Sequence, residues 1–253
     1  LLHHDRHDVE ARELLELALV TLQEEGGGTD VSDRWLAWRR AKRSGRPIVV
    51  VLSGAPGSGK STLATRLAVR LDVTRVVTTD AIREVLRVVV PDTVLPELHG
   101  STFDVVGADG PMRFAEFDRQ CSAVVQATGA VASRLATEHR SMILEGVHLA
   151  PGAVTHRLAG HPAEPIVVER VVMIDESRHS DNLRTRSEHE PLRGTDRYLD
   201  RFPTLRAIQV HLMEQARAAG VRIVDVHEAT ELTQSIVDEI AARADSAHPV
   251  GAP

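Results

Sequence analysis

Eight consecutive residues, Gly54-Ala55-Pro56-Gly57-Ser58-Gly59-Lys60-Ser61, fit the pattern G-x-x-x-x-G-K-[ST] in full. The glycines let the backbone turn back so that successive N–H groups point inward at a β-phosphate. A lysine at the seventh position reaches the β- and γ-oxygens, and the hydroxyl at the eighth ligates Mg²⁺. The loop sits between an apolar run rich in β-branched residues (48–53) and a helical run beginning at Ser61, so a helix N-terminus also faces the phosphates. Gly54 through Ser61, with Thr62, are therefore the expected nucleotide-binding residues, and ATP with Mg²⁺ the expected cofactors. Only Lys42 and Lys60 among the 30 Lys and Arg residues are lysines. No lysine is left to build a guanine-reading Asn/Lys/Asp motif, which argues against GTP.

A phosphate loop alone does not separate a kinase from a switch or a motor, so the other acidic residues at strand ends carry the discrimination. Asp80 is expected at the end of a second strand, and Arg83 and Arg87 follow at i+3 and i+7 on the succeeding helix, sharing its face. A carboxylate there accepts the proton of an attacking hydroxyl while arginines hold an anionic acceptor. The plainer alternative is a helix N-cap with surface ion pairs. Glu145 ends the apolar run 141–146 and is expected to serve Mg²⁺ or to orient a nucleophile; the alternative is a solvated strand end. His148, just beyond it, can donate to a phosphate, although 13 histidines in the chain make any one of them a weak signal. His99, with Ser101 and Thr102, is a further candidate for the acceptor pocket or else an ordinary loop. Lys60, Asp80, Arg83 and Glu145 are the candidate catalytic residues, and Ser61 with Glu145 the candidate metal ligands.

Residues 184–206 carry Arg184, Arg186, Arg193, Arg197, Arg201 and Arg206 among Glu188, Glu190, Asp196 and Asp200. They read either as a solvated helix face or as a lid that closes arginines over a transferring phosphoryl group and excludes water. The lid reading assigns Arg184 to the nucleotide and Arg193 and Arg197 to the acceptor.

These residues need a scaffold that brings distant segments to one edge. Apolar runs at 48–53, 73–80, 141–146, 166–175 and 221–226 alternate with helical runs, the longest at 114–138 and 203–219. That alternation predicts an α/β, P-loop NTPase fold: a parallel sheet with helices on both faces and ligands beyond the carboxyl ends of the strands. Helical spacing at 8–24 and 33–42, with Trp35 and Trp38 on one face, predicts a short helical N-terminal appendage. Residues 1–45 are this appendage, 46–245 the kinase-type domain, and 246–253 an expected disordered tail. Asp30 or Ser32 is the expected cap of the second helix. With 253 residues, 42% of them hydrophobic, the chain is long enough for one sizeable core. A net charge of −6 gives no footprint for nucleic acid or an anionic membrane, and the single cysteine, Cys121, builds neither disulfides nor a thiolate metal site. No apolar run is long enough to span a bilayer, so a cytoplasmic location is expected.

The phosphate loop, TTDAIREVLR (78–87), LHGSTFD (98–104), LEGVHLAPG (144–152), RYLDRFPTLRAIQVHLMEQA (197–216) and the lead-in DRWLAWRRAKRSGRPIVVVLSG (33–54) together resemble the 2-phosphoglycerate kinase family, in the right order over roughly residues 33 to 226. The resemblance implies phosphorylation of 2-phosphoglycerate to 2,3-bisphosphoglycerate with ATP and Mg²⁺, as that family does in archaea. It places Lys60 and Ser61 at the phosphates and metal, Asp80 and Arg83 in the motif beside the acceptor, and Glu145 and His148 in the strand-end motif. The expected partner is a small phosphorylated substrate, with a homodimer compatible and no nucleic acid or membrane. Two other readings stay open: a P-loop kinase of a sugar, nucleoside or antibiotic, and an ATP-dependent switch that uses the Trp-bearing helices for docking.

Overall fold

The computed structural model describes residues 17, 20–21, 29–102, 114–189 and 196–246. Among these residues five strands form one sheet: β1 (Ile48–Ser53), β2 (Val76–Thr78), β3 (Met142–Gly146), β4 (Ile166–Met173) and β5 (Arg222–Asp225). Their order is β2-β3-β1-β4-β5, and every neighbouring pair is parallel. β1 and β3 are buried at every position, as expected of central strands covered on both faces.

The helices are α1 (Thr29–Arg43), α2 (Lys60–Leu71), α3 (Thr79–Val89), α4 (Phe114–Thr137), α5 (Ala153–Leu158), α6 (Glu176–His189), α7 (Asp196–Asp200), α8 (Phe202–Ala219) and α9 (Ala229–Ser246). Alternation along the strands divides the core. Ile48, Val50 and Leu52 of β1 face α2 and α9, packing with Leu63, Leu67, Ile236 and Ile240. Val49 and Val51 face the other way, onto Ala132 of α4 and Val154 and Leu158 of α5. The pattern of period two along the strand meets helical stripes on each side, which is why the layers cannot slip without exposing a whole apolar face.

The segment expected as an appendage contributes to this core. Ala41 of α1 is buried and Trp38 packs against the cluster formed by α2 and α9. Trp35 carries Arg39 over its ring at 4.9 Å. α1 begins at Thr29, ahead of the expected caps Asp30 and Ser32. Most of the helix expected at 8–24 lies outside the described residues, where Leu17 and Val20 are helical and largely exposed. The expected tail falls outside them too, apart from Ser246, the last residue of α9. α5 was not foreseen; it is a six-residue helix led in by Gly152 in the left-handed region.

The second strand is shorter than expected. Thr78 stops it by becoming the N-cap of α3, its side chain accepting from Ala81 N–H, so Asp80 lies in the helix's first turn and not on a strand. Among the described residues, no helix is long and apolar enough to cross a membrane.

Candidate active site

Three strand ends converge at one edge of the sheet: the loop after β1, the end of β3 at Glu145, and the start of α3 after β2. α2 starts with Gly59 as a left-handed N-cap, without a side-chain cap and without an acid in its first turn. Its first turn thus brings no carboxylate of its own to the leading backbone donors, the arrangement that suits an anion. The Gly57 backbone is left-handed (φ 82°), and a Cβ there would stand 2.7 Å from Leu183 and 3.1 Å from His179. Glycine is required both by the turn and by the helix behind it.

That helix is α6, and it props the loop from outside. His179 Nε2 donates to Pro56 O at 2.7 Å and Asn182 Nδ2 to Gly57 O at 3.1 Å. Since Nε2 carries the proton, Nδ1 accepts from Arg206, 3.4 Å away. Burial keeps the His179 pKa below its ordinary value. His179 and Asn182 precede the 184–206 stretch expected as a lid; within that stretch Arg206 donates to Ile174 O at 2.8 Å and stands against His179, behind the phosphate loop. Neither His179 nor Asn182 carries a motif signal, because their role depends on a fold contact more than 120 residues away in the chain.

Ser61 Oγ donates to Glu145 Oε1 at 3.1 Å, and Lys60 Nζ lies 3.9 Å from Glu145 Oε2 and 3.5 Å from Ala55 O. Glu145 is only 7% exposed. A carboxylate flanked by an ammonium and a hydroxyl is held in place and aimed. Ser61 Oγ and Glu145 are hard oxygen donors on adjoining elements. They fit Mg²⁺, which takes one or two protein oxygens and completes its shell with phosphate and water. Among the described residues there is no cluster of three or more His, Cys, Asp or Glu that would hold a metal by itself. Ser58 Oγ in the loop is buried without a hydrogen-bond partner among the described residues, a polar atom that a bound phosphate oxygen would satisfy.

Beside this triad opens a cavity of about 430 Å³ lined by Pro56, Lys60, Ser61 and Glu145 at one end and by Thr78, Asp80, Arg83, Ser101, Thr102 and Tyr198 at the other, with Glu84, Gly146 and Val147. The Asp80 side chain is 81% exposed within this open cleft. Lys60, Ser61, Asp80, Arg83, Ser101 and Glu145 thus share one cavity, as their sequence roles require.

Other expected site residues are placed differently. Arg83 does line the cavity, but its Nε donates to Leu98 O at 3.1 Å and an Nη to Gly100 O, so it ties down the wall segment 95–102. Burial lowers its pKa, with repulsion from Arg87 adding to this and Glu84 and Asp80 opposing. Arg87 is outside the lining, and its Nη1 donates to both carboxylate oxygens of Glu84, one turn away. His99 is turned away, bonding the Val90 carbonyl at 2.9 Å. His148 is fully buried and does not line the cavity. Its ring bonds Thr79, Thr102 and Gln120 instead of facing a phosphate. Arg184 projects from α6 into solvent, 3.6 Å from Asp181. Arg193 and the side chain of Arg197 lie outside the described residues, although the Arg197 backbone belongs to α7.

A second cavity, of about 510 Å³, lies where β5 has not yet begun beside β4, toward the far end of the sheet. Two of its arginines are engaged. Arg243 donates to Val167 O and pairs with Glu239; Arg170 donates to Glu169 O and pairs with the same Glu239. They cover the unpaired edge of β4.

The family model described as an AAA domain matches residues 49–190, from β1 into the segment that follows α6. The 2-phosphoglycerate kinase of Pyrococcus horikoshii is 32% identical over 237 residues, covering 89% of this chain and 75% of its own. The 2-phosphoglycerate kinase of Pyrococcus furiosus is 32% identical over 234 residues, with the same two coverages. A gluconokinase from Sinorhizobium meliloti 1021 is a more distant likeness in structure, 15% identical over 80% of this chain and 96% of that chain at a TM-score of 0.48. At the identity of the Pyrococcus relatives, and over this share of both chains, the chain belongs to the 2-phosphoglycerate kinase family.

Proposed function

We propose that this chain transfers the terminal phosphoryl group of ATP to the hydroxyl of 2-phosphoglycerate, giving 2,3-bisphosphoglycerate and ADP. The observation that carries the reading is the single cavity in which Lys60, Ser61 and Glu145 meet Asp80, Arg83 and Ser101. The names of the Pyrococcus relatives supply the acceptor. Ser61 and Glu145 would hold Mg²⁺, which neutralises charge on the β- and γ-phosphates when bound.

The chain's own residues do the rest. The loop's backbone and Lys60 hold the donor phosphates and offset the negative charge that grows on the leaving oxygen. Asp80 accepts the proton of the acceptor hydroxyl as its oxygen bonds to the γ-phosphorus and the bond to the bridging oxygen breaks. Arg83 places positive charge at the acceptor end, which suits a substrate that already carries a carboxylate and a phosphate. The wall 95–102 and Tyr198 narrow the cavity and limit the access of water as a competing acceptor.

The test is ADP release across phosphorylated three-carbon acids, sugars and nucleosides. Strong stimulation by 2-phosphoglycerate supports the reading. Stimulation by a different acceptor, with none by 2-phosphoglycerate, removes the substrate and leaves the kinase chemistry. Release that no acceptor stimulates removes both.

A further inference from the structure

The His148 ring is fully buried and bonded at both nitrogens. Nδ1 lies 3.1 Å from Thr79 Oγ1. Nε2 lies 3.0 Å from Gln120 Oε1 and 3.1 Å from Thr102 Oγ1. Thr102 Oγ1 donates in turn to Gln120 Oε1 at 3.2 Å. The orientation of the Gln120 amide follows from its other end, where Nε2 donates to Glu97 O. Turning the amide over would set its oxygen against that carbonyl.

One protonation pattern satisfies the whole cluster. Gln120 Oε1 only accepts, so the His148 proton sits on Nε2, and the bare Nδ1 accepts from the Thr79 hydroxyl. The ring is then neutral and every donor has an acceptor. Its surroundings agree: burial lowers the His148 pKa to about 4, with Arg83 and Lys60 acting in the same direction and Asp80 opposing. Asp80 Oδ1 is 3.7 Å from Nδ1.

The cluster joins four separate segments. Thr79 immediately precedes Asp80, and Thr102 follows Ser101 and lines the cavity itself. Gln120 comes from α4 behind the wall, and His148 from the turn after β3. None belongs to the phosphate loop. At the centre Gly146 lets Thr79 approach, since a Cβ there would fall 1.7 Å from Thr79 Oγ1.

We propose that Gln120 and His148 are positioning residues for the acceptor: through the Nε2–H tautomer they lock the wall 97–102 to the first turn of α3. This sets the spacing between Asp80 and the Ser101–Thr102 side of the cavity without touching the nucleotide. It rests on the kinase reading above, in which that side of the cavity takes the acceptor.

Two measurements test it. Long-range proton–nitrogen correlation NMR of the wild-type protein at neutral pH, with His148 assigned by loss of its signals in His148→Asn, reads the tautomer without any substrate. A protonated Nε2 with a bare Nδ1 is expected. A protonated Nδ1, or a doubly protonated ring, overturns the proposal. Steady-state kinetics of Gln120→Met then separates the two substrates. KM for 2-phosphoglycerate is expected to rise about tenfold while KM for ATP changes by less than about twofold. Equal shifts in both constants, or an unchanged acceptor KM in a folded variant, overturn it; Thr102→Val serves the same purpose if Gln120→Met does not fold. A wild-type protein that ignores 2-phosphoglycerate defeats the substrate assignment instead, and the tautomer then decides the hub by itself.

Discussion

The two ends of the cavity are built in opposite ways. The end proposed for the donor is one contiguous glycine-rich loop, with Lys60 and Ser61 placed by the helix they begin. The acceptor end is assembled from four segments, and side-chain hydrogen bonds hold it: Arg83 to Leu98 O and Gly100 O, Gln120 to Glu97 O, and His148 to Thr79 and Thr102. Backbone-built sites depend on glycine and turn geometry and so leave a spaced motif. A site built by buried side chains depends on each polar group finding its partner, and single changes there should alter substrate handling before they alter phosphate binding.

Substitutions that separate the two ends test this contrast. The largest effect belongs to the donor end: Lys60→Ala should lower kcat by about 10³-fold, because a preorganised charge at the transferring phosphoryl group is lost, while urea unfolding changes little. Gly146→Ala strikes the junction of the two ends. The added Cβ would meet Thr79, and about 3 kcal/mol of unfolding free energy should be lost, read by urea titration. His148 gives a pH signature of similar size. Its folded pKa, about 4, lies below the ordinary 6.5, so the unfolded chain binds the proton more readily. Stability therefore falls as pH drops from 6.5 toward 4, by about 3 kcal/mol in all, and the slope should flatten in His148→Asn. Arg83→Ala should raise KM for the acceptor about tenfold and leave KM for ATP nearly unchanged. The smallest effect is expected of Arg184→Ala. Its exposed one-turn pair with Asp181 contributes about 0.3 kcal/mol, and a KM for ATP within about twofold of wild type would fit its solvent-facing position.

The parallel sheet, its order of elements and the phosphate loop were legible because periodicity and glycine spacing are local. Asp80 and Glu145 were singled out because they were expected at strand ends, where open α/β sheets hold ligands, and Ser101 only as a neighbour of His99 in a loop; all but His99 line the cavity. His148 was noticed for its type and misread in its role: nothing in LEGVHL tells a phosphate donor from a buried hub, since the difference lies in Gln120 and Thr79, 28 and 69 residues away. Arg83 and Arg87 share a helix face as expected. One found backbone carbonyls and the other Glu84, which helical spacing does not reveal. His179 and Asn182 were invisible for the same reason, as α6 earns its contact with the loop only once β4 has carried it there.

The central claim, that both ends act on one phosphoryl group, is tested most directly by phosphorus NMR of the protein with ATP, Mg²⁺ and 2-phosphoglycerate. A new phosphomonoester resonance of 2,3-bisphosphoglycerate growing in step with ADP is the predicted result. ADP accumulating with inorganic phosphate, and no new phosphomonoester, would contradict it.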